Sequence, residues 1–186
     1  SFQYLGRGKG YGYNTPYNVP FEQISQASAI WLLGSEINKE NAVLGFMISN
    51  TCFLKQIPLS LVTTLSKTSM DHKSNNILNI KSYYYFVKAA NHYLLSNNLQ
   101  NDLFINGHSS GLEEYKKDLL NNKFADLCAK AGVSEENLIS FAVSYNKEIN
   151  GILVFSEKNV SSSTAKEIRN LAIITGKLGK TASGII

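Results

Sequence analysis

Four short, largely apolar runs, separated by longer segments of helical character, constrain the fold of this 186-residue chain more than any other feature. The first run, 29–33, reads Ala-Ile-Trp-Leu-Leu, and the others cover 59–63, 77–80 and 152–155. Continuous rather than alternating apolarity is typical of strands that are buried on both faces, as in a parallel sheet. The chain therefore predicts an α/β domain with three layers: a mostly parallel sheet of about four strands with helices on both faces.

Helix signals fill the segments between these runs. A short helix is predicted from Phe21 to Ala27. Residues 96–146 read as helices broken at Asn97-Asn98, at 107–111 and at Gly132. Ser82 and Ser134 are suitable helix caps, and Thr164-x-x-Glu167 has the spacing of a capping box. Two sets of apolar residues have the spacing of one helix face and predict two further helices. The first set is Val43, Leu44, Met47 and Ile48, and the second is Phe86, Ala89, Ala90, Tyr93 and Leu94.

Residues 1–20 contain glycines alternating with tyrosines and other residues, and have neither helical nor strand periodicity. The string Gly-Arg-Gly-Lys-Gly-Tyr-Gly at 6–12 superficially suggests a dinucleotide-binding fingerprint. Such a fingerprint needs a preceding strand and a following helix, and neither is predicted here. This segment is therefore predicted to be a loop.

Composition excludes several classes of function. The net charge of +4 is small and the lysines are dispersed along the chain, so nucleic acid is not an expected partner. Cys52 and Cys128 lie far apart in the sequence and cannot by themselves hold zinc or an iron–sulfur cluster. His108 beside Ser109 lacks the acid and the turn context of a hydrolase. No apolar run reaches the about 18 residues of a membrane helix and no signal peptide is visible, so a cytoplasmic location is expected.

Ligands of open α/β sheets bind beyond the carboxyl ends of the strands. In this chain those ends are predicted at 34–36, 63–67 and 156–158. A further candidate is the tail from Leu171 to Ile186, in which an apolar helix ends near Thr175-Gly176 and glycines and lysines follow. Such a segment either brings backbone N–H groups close to a ligand or is a helix stop followed by a loose end.

Three collinear stretches resemble the large subunit of the molybdopterin-dependent oxidoreductases, especially formate dehydrogenases, and the related large iron–sulfur subunit of NADH dehydrogenase. The stretches are 21–36, the pair 93–99 with 104–115, and the tail from Leu171. The resemblance implies that residues 1–186 are a single Rossmann-like domain, an internal fragment that holds one guanosine end of a molybdopterin guanine dinucleotide. It also implies that the iron–sulfur domain, the molybdenum ligand and a cap domain lie elsewhere in the polypeptide, so the fragment alone is expected to be inactive and to bind no metal.

The resemblance assigns cofactor contacts to specific positions. Gly34, Ser35 and Glu36 match the turn after the first strand, where glycine permits close backbone approach to the cofactor. The end of the second strand contributes Thr63, and the end of the fourth contributes Ser156 and Glu157. In the tail the matching residues are Thr175, Gly176, Lys177 and Gly179, with the chain expected to pass the cofactor and then end in solvent.

Several positions depart from the family pattern. The Asp-Pro-Arg that commonly follows the second strand is absent from Val62–Lys67, and Ser156-Glu157-Lys158 replaces Trp-Gly-Met-Gly. Lys177 and Thr181 replace the usual Asn and Pro. Two hypotheses follow: a cofactor-binding domain of a formate dehydrogenase-like subunit, or a structural domain of an NADH dehydrogenase-type subunit that binds no molybdenum cofactor. In both cases the expected partners are the rest of the same polypeptide, with other electron-transfer subunits as further candidates.

Overall fold

A five-stranded parallel sheet organises the chain in a computed structural model that describes residues 19–156 and 158–186. The strands are β1 (Ala29–Leu33), β2 (Leu59–Thr63), β3 (Asn76–Asn79), β4 (Gly151–Phe155) and β5 (Gly184–Ile185). Their order in the sheet is β3-β2-β1-β4-β5, and every neighbouring pair is parallel. The predicted three-layer α/β fold is confirmed, with one strand more than expected. The glycine-rich loop predicted for the first residues falls largely outside the described residues.

Helices cover both faces of the sheet, as predicted. Side chains of β1 alternate between the faces: Trp31 and Leu33 enter one apolar core, and Ile30 and Leu32 enter the other. The α-helices are α1 (Ile37–Glu40), α2 (Ala42–Lys55), α3 (Tyr83–Ser96), α4 (Asp102–His108), α5 (Leu112–Leu120), α6 (Phe124–Ala131), α7 (Glu135–Lys147) and α8 (Ser162–Ile174). The first core lies under α3, α5, α6, α7 and α8, whereas the second is covered by a 3-10 helix, Phe21–Gln26, with α1 and α2.

The prediction that the tail ends in solvent is wrong, because the tail packs against the sheet. Leu178, Ala182 and Ile185 are buried, and β5 pairs with β4 through Ile186 N–H to Leu153 O (2.9 Å) and Phe155 N–H to Ile186 O (3.1 Å). On its other side, Val19 N–H donates to Ile185 O (3.0 Å). A strand of two residues carries too little pattern to be detected by periodicity. Pairing with the open edge of β4 nevertheless satisfies backbone groups that would otherwise be exposed.

Two of the three predicted helix caps are confirmed. Ser82 accepts from Tyr85 N–H and Ser134 accepts from Asn137 N–H. The capping box at Thr164 is wrong: α8 begins three residues earlier, because the Ser161 side chain accepts from Thr164 N–H at 3.2 Å.

Glu167, which the capping box would have placed at the start of α8, is instead buried within the protein. Its Oε2 accepts from Asn91 Nδ2 (2.9 Å) and from the Tyr115 hydroxyl (2.5 Å). The carboxylate therefore links α8 to α3 and α5, and burial raises the pKa of Tyr115 well above its usual range.

Candidate functional site

The strand order creates a switch point between β1 and β4. From β1 the chain proceeds outward through β2 to β3, and later returns to place β4 on the opposite side of β1. The loops that leave the carboxyl ends of β1 and β4 therefore diverge, and such a divergence leaves a crevice in open α/β sheets. Three of the predicted site segments meet at this end of the sheet: the loops that follow β1, β2 and β4.

Gly34 forms the turn after β1 and is required there for two reasons. Its φ of +64° lies in the left-handed region that side chains disfavour. A Cβ built on Gly34 would also lie 2.9 Å from Cζ of the Tyr83 ring. Close approach at this glycine is thus made by Tyr83, at the start of α3, whereas the family resemblance assigns the close approach to a cofactor.

Tyr83 also holds the loop after β2. Its hydroxyl accepts from Thr64 N–H at 2.9 Å and lies 3.3 Å from Thr64 Oγ1. The ring therefore forms one wall between the turn after β1 and the loop after β2. Sequence reasoning missed this residue, since only the packing of α3 against the sheet places it here.

Two carboxylates face this end of the sheet, and both have partners. Oε2 of Glu36 accepts from the Ser69 backbone N–H (3.3 Å) and hydroxyl (2.9 Å). Glu40 accepts from the Ser35 hydroxyl at 3.2 Å and, with its other oxygen, from Asn159 Nδ2 at 2.8 Å. The Glu40 pair spans the switch point, because Ser35 follows β1 and Asn159 follows β4. Glu40 and Asn159 were not among the predicted site residues.

The remaining predicted residues at this end organise their own loops. Thr63 Oγ1 accepts from Leu65 N–H at 3.0 Å, and Ser156 Oγ accepts from Lys158 N–H at 3.3 Å. Both side chains are buried, and such short-range bonds fix the direction in which a loop leaves its strand. Glu157 lies outside the described residues.

A small polar cleft lies between these loops. Its volume is about 70 Å³, well below the roughly 300–1,000 Å³ of small-molecule sites. It would admit one or two small polar groups, and a nucleoside would need the loops to move apart. The lining residues are Gly34, Ser35, Glu36, Thr63, Thr64, Leu65, Thr68, Tyr83 and Asn159.

The predicted tail residues lie at the opposite, amino-terminal end of the sheet. Thr175 ends α8, and its hydroxyl donates back to Leu171 O at 2.8 Å. Gly176 has a φ of +63°, and a Cβ there would lie 2.6 Å from Asn101 Nδ2. Gly179 is exposed with a φ of +70° and has free space around it. The structure therefore separates these residues from the cleft by the length of a strand.

Lys177 is buried at the same amino-terminal end. Its ammonium donates to the main-chain carbonyl of Glu148, just before β4, and lies 5.0 Å from the centre of the Tyr145 ring. Burial lowers the pKa of Lys177 to about 8, with a further contribution from the charge of Lys180. These contacts attach the tail to the segment that precedes β4.

Comparison with known proteins finds relatives that are oxidoreductases. A probable oxidoreductase of Bacillus subtilis, YjgC, is 25% identical over 97% of this chain and 18% of its own length. The assimilatory nitrate reductase catalytic subunit of B. subtilis is 30% identical over 49% of the chain, and a putative formate dehydrogenase of Staphylococcus haemolyticus is 30% identical over 52%. These relatives confirm the resemblance to the molybdopterin-dependent oxidoreductases.

The chain spans less than a fifth of the length of these relatives: 18%, 13% and 10%. Among solved structures, acetylene hydratase from Pelobacter acetylenicus superposes with a TM-score of 0.70 over 94% of this chain and 24% of its own. At 13% identity this likeness demonstrates a shared fold alone. No protein-family model matches the chain.

Two further findings concern only residues 19–156 and 158–186. In these residues, no group of three or more His, Cys, Asp or Glu side chains is arranged so that it could hold a metal ion. None of the helices in that part of the chain has the length and apolarity needed to cross a membrane.

Proposed function

We propose that this chain is a cofactor-binding domain of a larger, formate dehydrogenase-like oxidoreductase, and that the cleft at the switch point receives a guanosine end of a molybdopterin guanine dinucleotide. The observation that carries the proposal is the pair of carboxylates, Glu36 and Glu40, beside the turn at Gly34. A carboxylate beyond the first strands of such sheets is suited to accept from ribose hydroxyls. Guanine also presents N–H donors that a carboxylate oxygen can accept.

The residues of the cleft fit a nucleoside better than a pyrophosphate. Glu36, which lines the cleft, and Glu40, which is bonded to two of its lining residues, would repel a phosphate placed there. The hydroxyls of Ser35 and Thr64 offer neutral hydrogen-bonding groups instead. We therefore assign the pyrophosphate to parts of the polypeptide outside this site. When bound, the cofactor would supply the molybdenum centre for electron transfer, and this domain would contribute binding and orientation alone.

Entry of a nucleoside requires an exchange of hydrogen-bond partners. Ser69 and Asn159 now donate to the two carboxylates, so ligand donors would have to replace them. Neither bond is deeply buried, and such exchanges cost little when a ligand donor takes over. A cleft of about 70 Å³ would then widen as the loops after β2 and β4 separate.

The tail residues remain a prediction that this cleft does not support. Thr175, Gly176, Lys177 and Gly179 begin about 17 Å away along the strand direction, if each of five strand residues rises about 3.3 Å. A direct contact between them and the same guanosine would require a ligand that reaches past the edge of the sheet.

Metal and pterin analysis of the full-length gene product tests the proposal. We expect molybdenum or tungsten together with a guanine nucleotide released on denaturation. Glu36→Gln with Glu40→Gln should lower the nucleotide content, while Lys166→Gln, an exposed change on α8, should leave it unchanged. A protein with intact iron–sulfur clusters and neither metal would overturn the proposal.

The alternative is a structural domain of an NADH dehydrogenase-type subunit. It is favoured by carboxylates that are already paired and by the loop after β2, which has neither the acid nor the arginine of the family pattern. The same metal analysis separates the two hypotheses. For the isolated chain, titration with a guanine nucleotide should give weak or undetectable binding, because much of the pocket would lie elsewhere. Micromolar affinity lost in Gly34→Val would contradict that expectation.

A further inference from the structure

The helix α2 is apolar on two sides. Its inner side, with Leu44 and Ile48, enters the second core, as helical spacing predicts. Its 14 residues carry a single charged side chain, Lys55, at the last position. A solvated helix face normally carries charged and polar groups, and a helix that is apolar all round is a buried helix.

The outer side of α2 carries an apolar stripe, interrupted by the exposed Asn50, which we name the α2 stripe. It consists of Val43, Phe46, Phe53 and Leu54, which are 68%, 69%, 74% and 68% exposed. Their spacing of three, seven and one residues keeps them on one face of a helix with 3.6 residues per turn. Val43 was predicted to share the helical face of Leu44 and Ile48, and the structure places it on the solvent side instead.

A groove of about 510 Å³ runs beside the second half of the α2 stripe. Phe46, Cys52 and Phe53 form its apolar side, and His72 and Lys73 form the opposite side. Lys73 Nζ donates to Ser49 Oγ at 3.1 Å across the groove. A groove of this size would take several side chains, and its basic border favours a partner with acidic groups.

Within residues 19–156 and 158–186, the two faces of the sheet differ in how much chain covers them. In this part of the chain five helices pack over the first core, and α1, α2 and one 3-10 helix cover the second. The match to YjgC covers 97% of this chain but only 18% of the length of YjgC. A relative of this kind therefore has a long polypeptide outside the matched domain, which supplies a candidate to cover α2.

We propose that the α2 stripe and its groove form an interdomain interface, occupied by an apolar segment with acidic side chains from another part of the same longer polypeptide. The inference rests on the proposed function only in requiring that larger polypeptide. It does not require the cofactor. Contacts of this kind would bury the phenylalanines, and aromatic side chains contribute much of the free energy of such interfaces.

Cysteine labelling of the full-length gene product tests the interface. Asn50→Cys, in a Cys52→Ala background, places a thiol on the groove, and Leu103→Cys, at a residue that is 91% exposed on α4, is the matched control. Each maleimide rate is normalised to the rate in urea. We expect labelling at position 50 to be at least tenfold slower than at position 103. Equal rates would overturn the proposal.

Two further labelling measurements, one on dilution and one with added lipid vesicles, identify the occupant of the groove. Protection at position 50 that disappears on dilution, together with a doubled mass, would indicate a second copy of the chain. Protection that appears only with added lipid vesicles would indicate a membrane surface. Either outcome would overturn the proposal. Metal content measured on the same samples keeps the two proposals separate, because protection without molybdenum supports the interface while contradicting the cofactor site.

Introducing charge on the α2 stripe provides an independent measurement. Phe46→Lys with Phe53→Lys should lower the thermal midpoint of the full-length protein, while Leu103→Lys should change it little. If the double variant does not fold, the labelling rates still decide the question.

Discussion

The two ends of the sheet are built differently. At the carboxyl end, the loops after β1, β2 and β4 are joined by hydrogen bonds between polar side chains, such as Glu40 with Asn159. At the amino-terminal end, the tail is attached through buried groups, Leu178 and Lys177 among them. Polar pairs near solvent can exchange partners with a ligand, whereas buried contacts are lost only at a large cost in stability. Under the proposed function, the carboxyl end is the binding end and the amino-terminal end is the structural end.

The largest expected effect lies at the structural end. Ile185→Ala should lower the free energy of unfolding by about 3 kcal/mol, because it leaves a cavity where β5 packs beside β4. Leu103→Ala, at an exposed position, should change it by less than about 0.5 kcal/mol. Urea unfolding followed by circular dichroism measures both. Equal stability of the two variants would mean that the tail ends in solvent after all.

A glycine comparison addresses the binding end. Gly34→Ala should cost about 2 kcal/mol, the sum of a strained positive φ and contact with the Tyr83 ring. Gly179→Ala shares the positive φ but has open space around it, so about 1 kcal/mol is expected. In a Tyr83→Ala background the difference should vanish. A difference that persists would show that something other than the ring occupies the space at Gly34.

The pH dependence of stability distinguishes Lys177 from a ligand-binding lysine. Its folded pKa of about 8 lies below the ordinary 10.5, so the folded state releases this proton first. Stability should therefore rise with pH from about 8 to 10.5, and the charged form is penalised below that window. The expected gain is about 1 kcal/mol between pH 8 and pH 9.

Unfolding at several pH values checks this expectation by difference. Lys177→Met should lose the rise, and Lys166→Met on the surface of α8 should keep it. A rise retained in Lys177→Met would mean that another group titrates in this range.

Local patterns in the sequence predicted much of the fold. The apolar runs identified the strands of the sheet interior, and Ser82 and Ser134 marked helix starts, because both signals depend on residues close in the chain. The wrong cap at Thr164 has a local cause as well: several hydroxyl residues in a row compete for one helix start, and Ser161 prevails. Strand β5 was missed because its formation depends on the edge of β4, which is distant in sequence.

The candidate site was predictable only in part. General rules for α/β sheets located the loops at Gly34 and Thr63, and the structure brings them together. Tyr83, Glu40 and Asn159 were missed because each comes from a different segment and meets the others only after folding. The tail residues were predicted as site residues from the resemblance to a family. A resemblance in sequence does not specify at which end of a sheet a segment lies.

The smallest expected effect concerns the bond that spans the switch point. Asn159→Ala and Glu40→Ala should each lower the free energy of unfolding by less than about 1 kcal/mol, and their coupling in a double-mutant cycle should be about 0.5 kcal/mol. A bond this weak can be given up to a ligand donor, which the proposed nucleoside site requires. Coupling of several kcal/mol would instead make the cleft as rigid as the amino-terminal end, and would favour the structural alternative over cofactor binding.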